Sequence, residues 1–122
     1  MAFTYDDDNI FAKILRGEIP NDTVLETAHS LAFRDIQPQA PCHVLVIPKG
    51  KYVSFDHFAQ DASEMEIVDY IRAVGKVCEL EGVSEDGFRL ISNAGRDGVQ
   101  EVPHLHVHIL AGRPLGRMLA KG

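Results

Sequence analysis

The chain has 122 residues and a formal net charge of −6, with a sequence pI near 5.4. That length suits a single domain spanning residues 1–122, long enough to bury a real core and short of two. The acidic balance, with Lys49, Lys51, Arg113 and Arg117 scattered along the chain, argues against a general nucleic-acid or anionic-membrane surface, so any phosphate ligand must be held locally. No apolar run reaches the length of a bilayer span, and the N-terminus from Met1 to Asp8 is acidic where a signal peptide is basic; both point to a cytosolic protein. In that setting Cys42 and Cys78 are expected as free thiols that behave as small buried hydrophobes.

In chain order, Asn9 is placed to cap a short helix carrying Ile10, Phe11, Ile14 and Leu15, which ends at Gly17 before Pro20. Thr23 to Glu26 and Leu31 to Ile36 read as strands joined by a turn near His29, and His43 to Ile47 reads as a third that stops at Pro48. From Asp61 the period changes. Ile67, Ile71, Val74 and Cys78 recur at helical spacing, with Asp61–Glu64 as the cap and Gly82 as the stop. Gly75 inside this long helix suggests close approach by another element or a second subunit, or simply an exposed glycine. Phe88 to Ser92 and His104 to Leu110 complete five strands, an α+β order with a mainly antiparallel sheet.

Between the last two strands lies a turn-rich loop, Asn93 to Val102, whose backbone N–H groups and Asn93 and Gln100 amides suit an anion. A plain hairpin turn would have the same composition. The strand that follows holds His104, His106 and His108, half of the six histidines, at strict alternation. On a strand these would line one face while Leu105, Val107 and Ile109 line the other. The wet face of an ordinary strand is the bland alternative. It is weak for three imidazoles about 6.6 Å apart, which repel when protonated. His29, in a turn, and His57, before the second helix, lack such a context and read as surface residues.

His104-Leu-His-Val-His-Ile-Leu110 resembles the signature of the histidine triad superfamily. The likeness extends through Phe11-Ala-Lys-Ile-Leu-Arg-Gly-Glu-Ile-Pro20, Ala32-Phe-Arg-Asp-Ile36, Pro38-Gln-Ala-Pro-Cys-His-Val-Leu-Val-Ile-Pro-Lys49, and Asn93 with Gly95, Gly98 and Gln100. Nearly the whole chain is covered. It is most similar to the histidine triad nucleotide-binding proteins related to the adenosine phosphoramidases. That resemblance implies an α+β fold with a five-stranded antiparallel sheet, a short N-terminal helix and one long helix. It also implies a homodimer with a ten-stranded sheet, and one purine nucleotide or nucleoside phosphoramidate per subunit.

Position by position, the resemblance makes His106 the nucleophile at the α-phosphorus, with His104, His108 and the separate His43 around it. Phe11, Ile19, Phe33 and Ile36 fall where the family packs the base, Asp35 where it binds the ribose, and Asn93 and Gln100 on the phosphate side. The scheme needs no metal and no cofactor. A neutral imidazole is a competent nucleophile at pH 7, and a covalent phosphorus–nitrogen adduct divides the substitution into two easier steps. Which ring nitrogen keeps the proton then decides competence, because an N–H cannot attack. His108 is the candidate donor on the phosphate side.

Three other readings stay open: a dinucleoside polyphosphate hydrolase of the same superfamily, a nucleotide-binding adaptor with incidental hydrolysis, and a metal site in which His43 or Asp35 completes a His-x-His set. The sequence also departs from the family pattern. Glu101 stands where the eukaryotic phosphoramidases carry a serine, and a carboxylate beside phosphate is repulsive unless turned away or hydrogen-bonded. Pro103 removes a backbone donor, Ala111 replaces a glycine, and the tail from Arg113 to Gly122 has no tryptophan. If that tail reaches a partner's site, it becomes a determinant of leaving-group preference.

Overall fold

The computed structural model describes residues 3–120; Met1 and Ala2 of the acidic N-terminus and Lys121 and Gly122 of the tail lie outside the described residues. Asn9 opens the first helix as its sequence position predicts. Its Oδ1 accepts the Ala12 N–H at 2.9 Å, and α1 runs Ile10–Leu15 with Phe11, Ala12 and Ile14 buried. Five strands follow, β1 (Thr23–Glu26), β2 (Ser30–Arg34), β3 (Cys42–Pro48), β4 (Phe88–Ile91) and β5 (Val107–Ala111). They form one antiparallel sheet in the order β1-β2-β3-β5-β4. β3 is central and buried along its whole length. A strand covered on both faces carries apolar residues without alternation, which is how Val44 to Ile47 reads.

The sheet separates two apolar layers. On one face α3 (Glu64–Leu80) buries Tyr70, Ala73, Val74, Val77 and Cys78 against Val44, Val46, Leu105, Val107 and Ile109. The Tyr70 hydroxyl, buried with its ring, donates to the Val46 carbonyl at 2.7 Å. On the other face α1 lays Phe11 and Ile14 over Leu31, Phe33, Leu45 and Ile47. Burial of each such side chain favours folding by roughly 1.5–3 kcal/mol. Cys42 and Cys78 are free and buried, as expected. Among the described residues no helix is long and apolar enough to cross a membrane.

The larger departures from the sequence reading have local reasons. β2 stops at Arg34, short of Ile36, because the Asp35 carboxylate accepts the Gln37 N–H at 2.8 Å and turns the chain ahead of Pro38. β5 starts at Val107, not His104. Pro103 has no N–H to give, the His104 N–H goes to the Val102 carbonyl, and the Leu105 N–H goes to the Tyr52 carbonyl, both at 2.8 Å. A seven-residue helix, α2 (Phe55–Asp61), was not foreseen: it anchors through one buried residue, Phe58, too few for a periodic signal. Because Asp61 ends α2, the long helix is capped by Ser63, whose hydroxyl accepts the Glu66 N–H while Glu66 reaches back to the Ser63 N–H.

The apolar stripe of α3 also has a part that the fold leaves open. Ile71 is 57% exposed although it shares the helical period of buried Val74 and Cys78, and among the described residues nothing lies within 4 Å of a Cβ built on Gly75. No element among the described residues makes the close approach. The Ser63 cap provides a test of the corrected boundary. Ser63→Ala should lower the unfolding free energy by about 1 kcal/mol, measured by urea denaturation. Asp61→Ala, at the former boundary, should lower it less.

Candidate active site

The histidine alternation survives the late start of β5. Leu105, Val107 and Ile109 enter the α3 layer, while His104, His106 and His108 lie on the α1 side. The β3–β5 register sets Leu45 opposite His108, which makes His43, two residues along β3, its diagonal neighbour. Four imidazoles therefore meet on one face, and the bonds at their ring nitrogens settle each tautomer.

His104 is fully buried. Its Nε2 lies 2.8 Å from the Pro48 carbonyl, which can only accept, so the proton is on Nε2. Its Nδ1 is then an acceptor, and the Tyr5 hydroxyl donates to it at 2.6 Å. Both nitrogens are occupied, so His104 is a support. The next histidine has the opposite tautomer. His106 donates from Nδ1 to the His104 carbonyl at 2.7 Å, which leaves its Nε2 with the lone pair. Phe11 meets this ring edge-on at 5.0 Å, and the Ser92 hydroxyl donates to the His106 carbonyl.

His43 and His108 form a relay. The Gln39 backbone N–H donates to His43 Nδ1 at 3.1 Å, so His43 carries its proton on Nε2. That nitrogen is 2.9 Å from His108 Nδ1 and 3.5 Å from the Asp35 carboxylate. His108 accepts at Nδ1 and keeps its own proton on Nε2. Burial lowers the pKa of all four rings, to about 4 for His104 and His108. At His106 the carboxylates of Asp35 and Glu101 pull in the other direction, so exposed Glu101 is near enough to be felt at the ring. The site is neutral and partly dry, with one lone pair presented at His106.

The other sequence-predicted residues are distributed unevenly. Phe11 and Phe33 meet edge-on at 5.5 Å, and Ile19 packs on the same apolar layer. Asp35 joins His43. Ile36 is not brought in: past the Asp35 turn it is 91% exposed. Asn93 is half-buried just beyond β4. The Gln100 amide ties its loop to the segment before α2, donating to the Val53 and Val102 carbonyls and accepting the Gly95 N–H. His57 is not the surface residue expected: it lies in α2, its side chain is 12% exposed, and its Nδ1 accepts the Val53 N–H. His29 is half-buried in its turn.

Sequence reasoning missed Tyr5 and the Pro48 and Gln39 backbone groups, since no spacing rule ties them to the row. For a metal, Asp35, His43 and His108 are the set among the described residues with ligand atoms within 4.8 Å of one another. His104 and His106 lie outside it, so an expected His-x-His pair is not the ligand core.

A HIT domain model matches residues 16–115, and the chain belongs to that family. It is 60% identical over 122 residues to an uncharacterised 13.2 kDa HIT-like protein of Azospirillum brasilense, with 100% of both chains covered. It is 46% identical over 114 residues to the purine nucleoside phosphoramidase of Escherichia coli strain K12, covering 93% of this chain and 95% of that one. The solved structure of a histidine triad protein from Clostridium difficile matches with a TM-score of 0.82 and 45% identity, covering 95% of this chain and 100% of that one.

The depressed histidine pKa values have a definite sign. A ring that burial keeps neutral binds a proton less readily when folded than when unfolded, so its contribution to stability is whole above the ordinary value of 6.5. It is lost as the pH falls from 6.5 towards about 4. Urea titrations across that window should show stability falling with pH. Replacing both His104 and His108 by glutamine should flatten the slope.

Proposed function

We propose that the protein hydrolyses purine nucleoside phosphoramidates at the α-phosphorus through a nucleotidyl-His106 intermediate. The observation that carries this reading is the open Nε2 of His106, freed by the bond from its Nδ1 to the His104 carbonyl. Nε2 attacks phosphorus, and the imidazolium charge that develops is stabilised through the Nδ1–H against that carbonyl. His108 passes its Nε2 proton to the substrate nitrogen as the phosphorus–nitrogen bond breaks, so the amine departs neutral. Water then attacks phosphorus and returns a proton to His108, the bond to His106 breaks, and the nucleoside monophosphate leaves.

In this reading Phe11, Phe33 and Ile19 hold the base, with Ile36 covering it from its exposed position. Asp35 binds the ribose hydroxyls, and Asn93 and Gln100 line the phosphate side, Gln100 by shaping the loop. The named activity of the Escherichia coli relative supports the substrate class. A homodimer fits the same picture. Among the described residues β4 is an edge strand, paired with β5 on one side only; its Phe88 and Leu90 are 43% and 48% exposed, and they lie on the sheet face that α3 covers. Ile71 of α3, 57% exposed, and the open surface at Gly75 belong to the same layer, and in this reading a second copy covers them.

One observation favours a second reading, a divalent cation on Asp35, His43 and His108. Single-turnover reaction with an adenosine phosphoramidate separates the two. The wild type should release the amine and carry a labile nucleotidyl group on His106. His106→Ala should do neither, with a rate loss on the order of 10³-fold or more. Full activity in His106→Ala would contradict the nucleophile. Activity removed by a chelator and restored by zinc would establish the metal reading instead.

A further inference from the structure

The N-terminal segment ahead of α1 is fastened across the histidine row at several points. Phe3 stacks on His57 with ring centroids 4.4 Å apart and planes 8° from parallel. Asp7 pairs with Lys51 at 2.8 Å, and its carbonyl accepts from Arg16 at 2.9 Å. The buried Asn9 side chain donates to the Asp6 carbonyl at 2.7 Å. These ties hold Tyr5, half-buried, with its hydroxyl on His104 Nδ1 and its ring edge-on to the imidazole at 5.5 Å. Tyr5 lies before the residues 16–115 that the family model matches.

We propose that Tyr5 is a positioning residue for His106, acting through His104. The chain of bonds is continuous. The Tyr5 hydroxyl donates to His104 Nδ1, His104 Nε2–H donates to the Pro48 carbonyl, and the carbonyl of the same His104 accepts the Nδ1–H of His106. The two side-chain bonds hold the His104 ring from opposite ends, which fixes the residue whose backbone orients the nucleophile. Without the hydroxyl, Nδ1 of a fully buried ring has no donor. The Nδ1–H tautomer of His104 then competes, and it sets a lone pair against the Pro48 carbonyl. The ring must shift, and the acceptor for His106 shifts with it. His106 then populates its Nε2–H tautomer, which cannot attack phosphorus.

The proposal rests on the reading of His106 as nucleophile, and Tyr5→Phe in the full chain tests it because it keeps the ring and removes only the hydroxyl. One neutral hydrogen bond lost should lower kcat on an adenosine phosphoramidate about five- to tenfold, with KM within about twofold. The nucleotide is held elsewhere, at Phe33, Asp35 and Ile19. On ¹⁵N-histidine-labelled protein, the His104 ring nitrogens should move from a pure Nε2–H pattern towards a mixture of tautomers. Unchanged kcat overturns the proposal, and so does a lowered melting temperature with kcat intact. Loss of kcat with the His104 nitrogens unmoved overturns it as well. Should the wild type fail to turn over any phosphoramidate, the proposed function falls. The hold of Tyr5 on His104 is then decided by the nitrogen shifts alone.

Discussion

A neutral imidazole has one proton for two nitrogens, and the bond from His106 Nδ1 to the His104 carbonyl decides where the lone pair is left. That bond joins two residues of one segment, so it depends on the path of the backbone just ahead of β5. Pro103, the His104 N–H on Val102 and the Leu105 N–H on Tyr52 hold that path out of the sheet ladder. Leu105, wholly buried against the α3 layer, pins it from the other side. The hydrophobic core thus contributes to chemistry by locating one carbonyl oxygen.

Burial and charge are opposed at this site. Removal of water from four imidazoles keeps them neutral, which a nucleophile needs, while Asp35 and Glu101 favour the protonated form at His106. Burial is the larger effect there, so His106 stays a base. The same carboxylates suit the step after attack, when the ring becomes cationic. In the proposed reaction this gives exposed Glu101 a favourable interaction with the cationic ring, opposed to its repulsion of a phosphate.

Much of this was legible in the sequence because it rests on short-range rules. The Asn9 cap, the five strands and the two-residue alternation from His104 to His108 each follow from local periodicity or turn chemistry. Two histidines precede the strand proper, yet they lie on the same side as His108, because buried Leu105 and Val107 between them enter the α3 layer. The errors have a common origin in contacts that sequence spacing does not encode. Ile36 reads as the end of a strand, but the Asp35 side chain turns the chain first. His57 was read as a surface residue, yet Phe3, more than fifty positions away, stacks on it. Tyr5 meets His104 across 99 positions, and no pattern at either end announces the other. Exposed Ile71 shares the period of buried Val74 and Cys78, and an apolar stripe looks the same in sequence whether or not its own chain covers it.

The account turns on complementary tautomers in a neutral site, and long-range ¹H–¹⁵N spectra of the histidine rings at pH 7 test that most directly. They should show His106 protonated at Nδ1 with a bare Nε2, and His43, His104 and His108 each protonated at Nε2. A His106 ring with its proton on Nε2, or one that is doubly protonated at that pH, would contradict it.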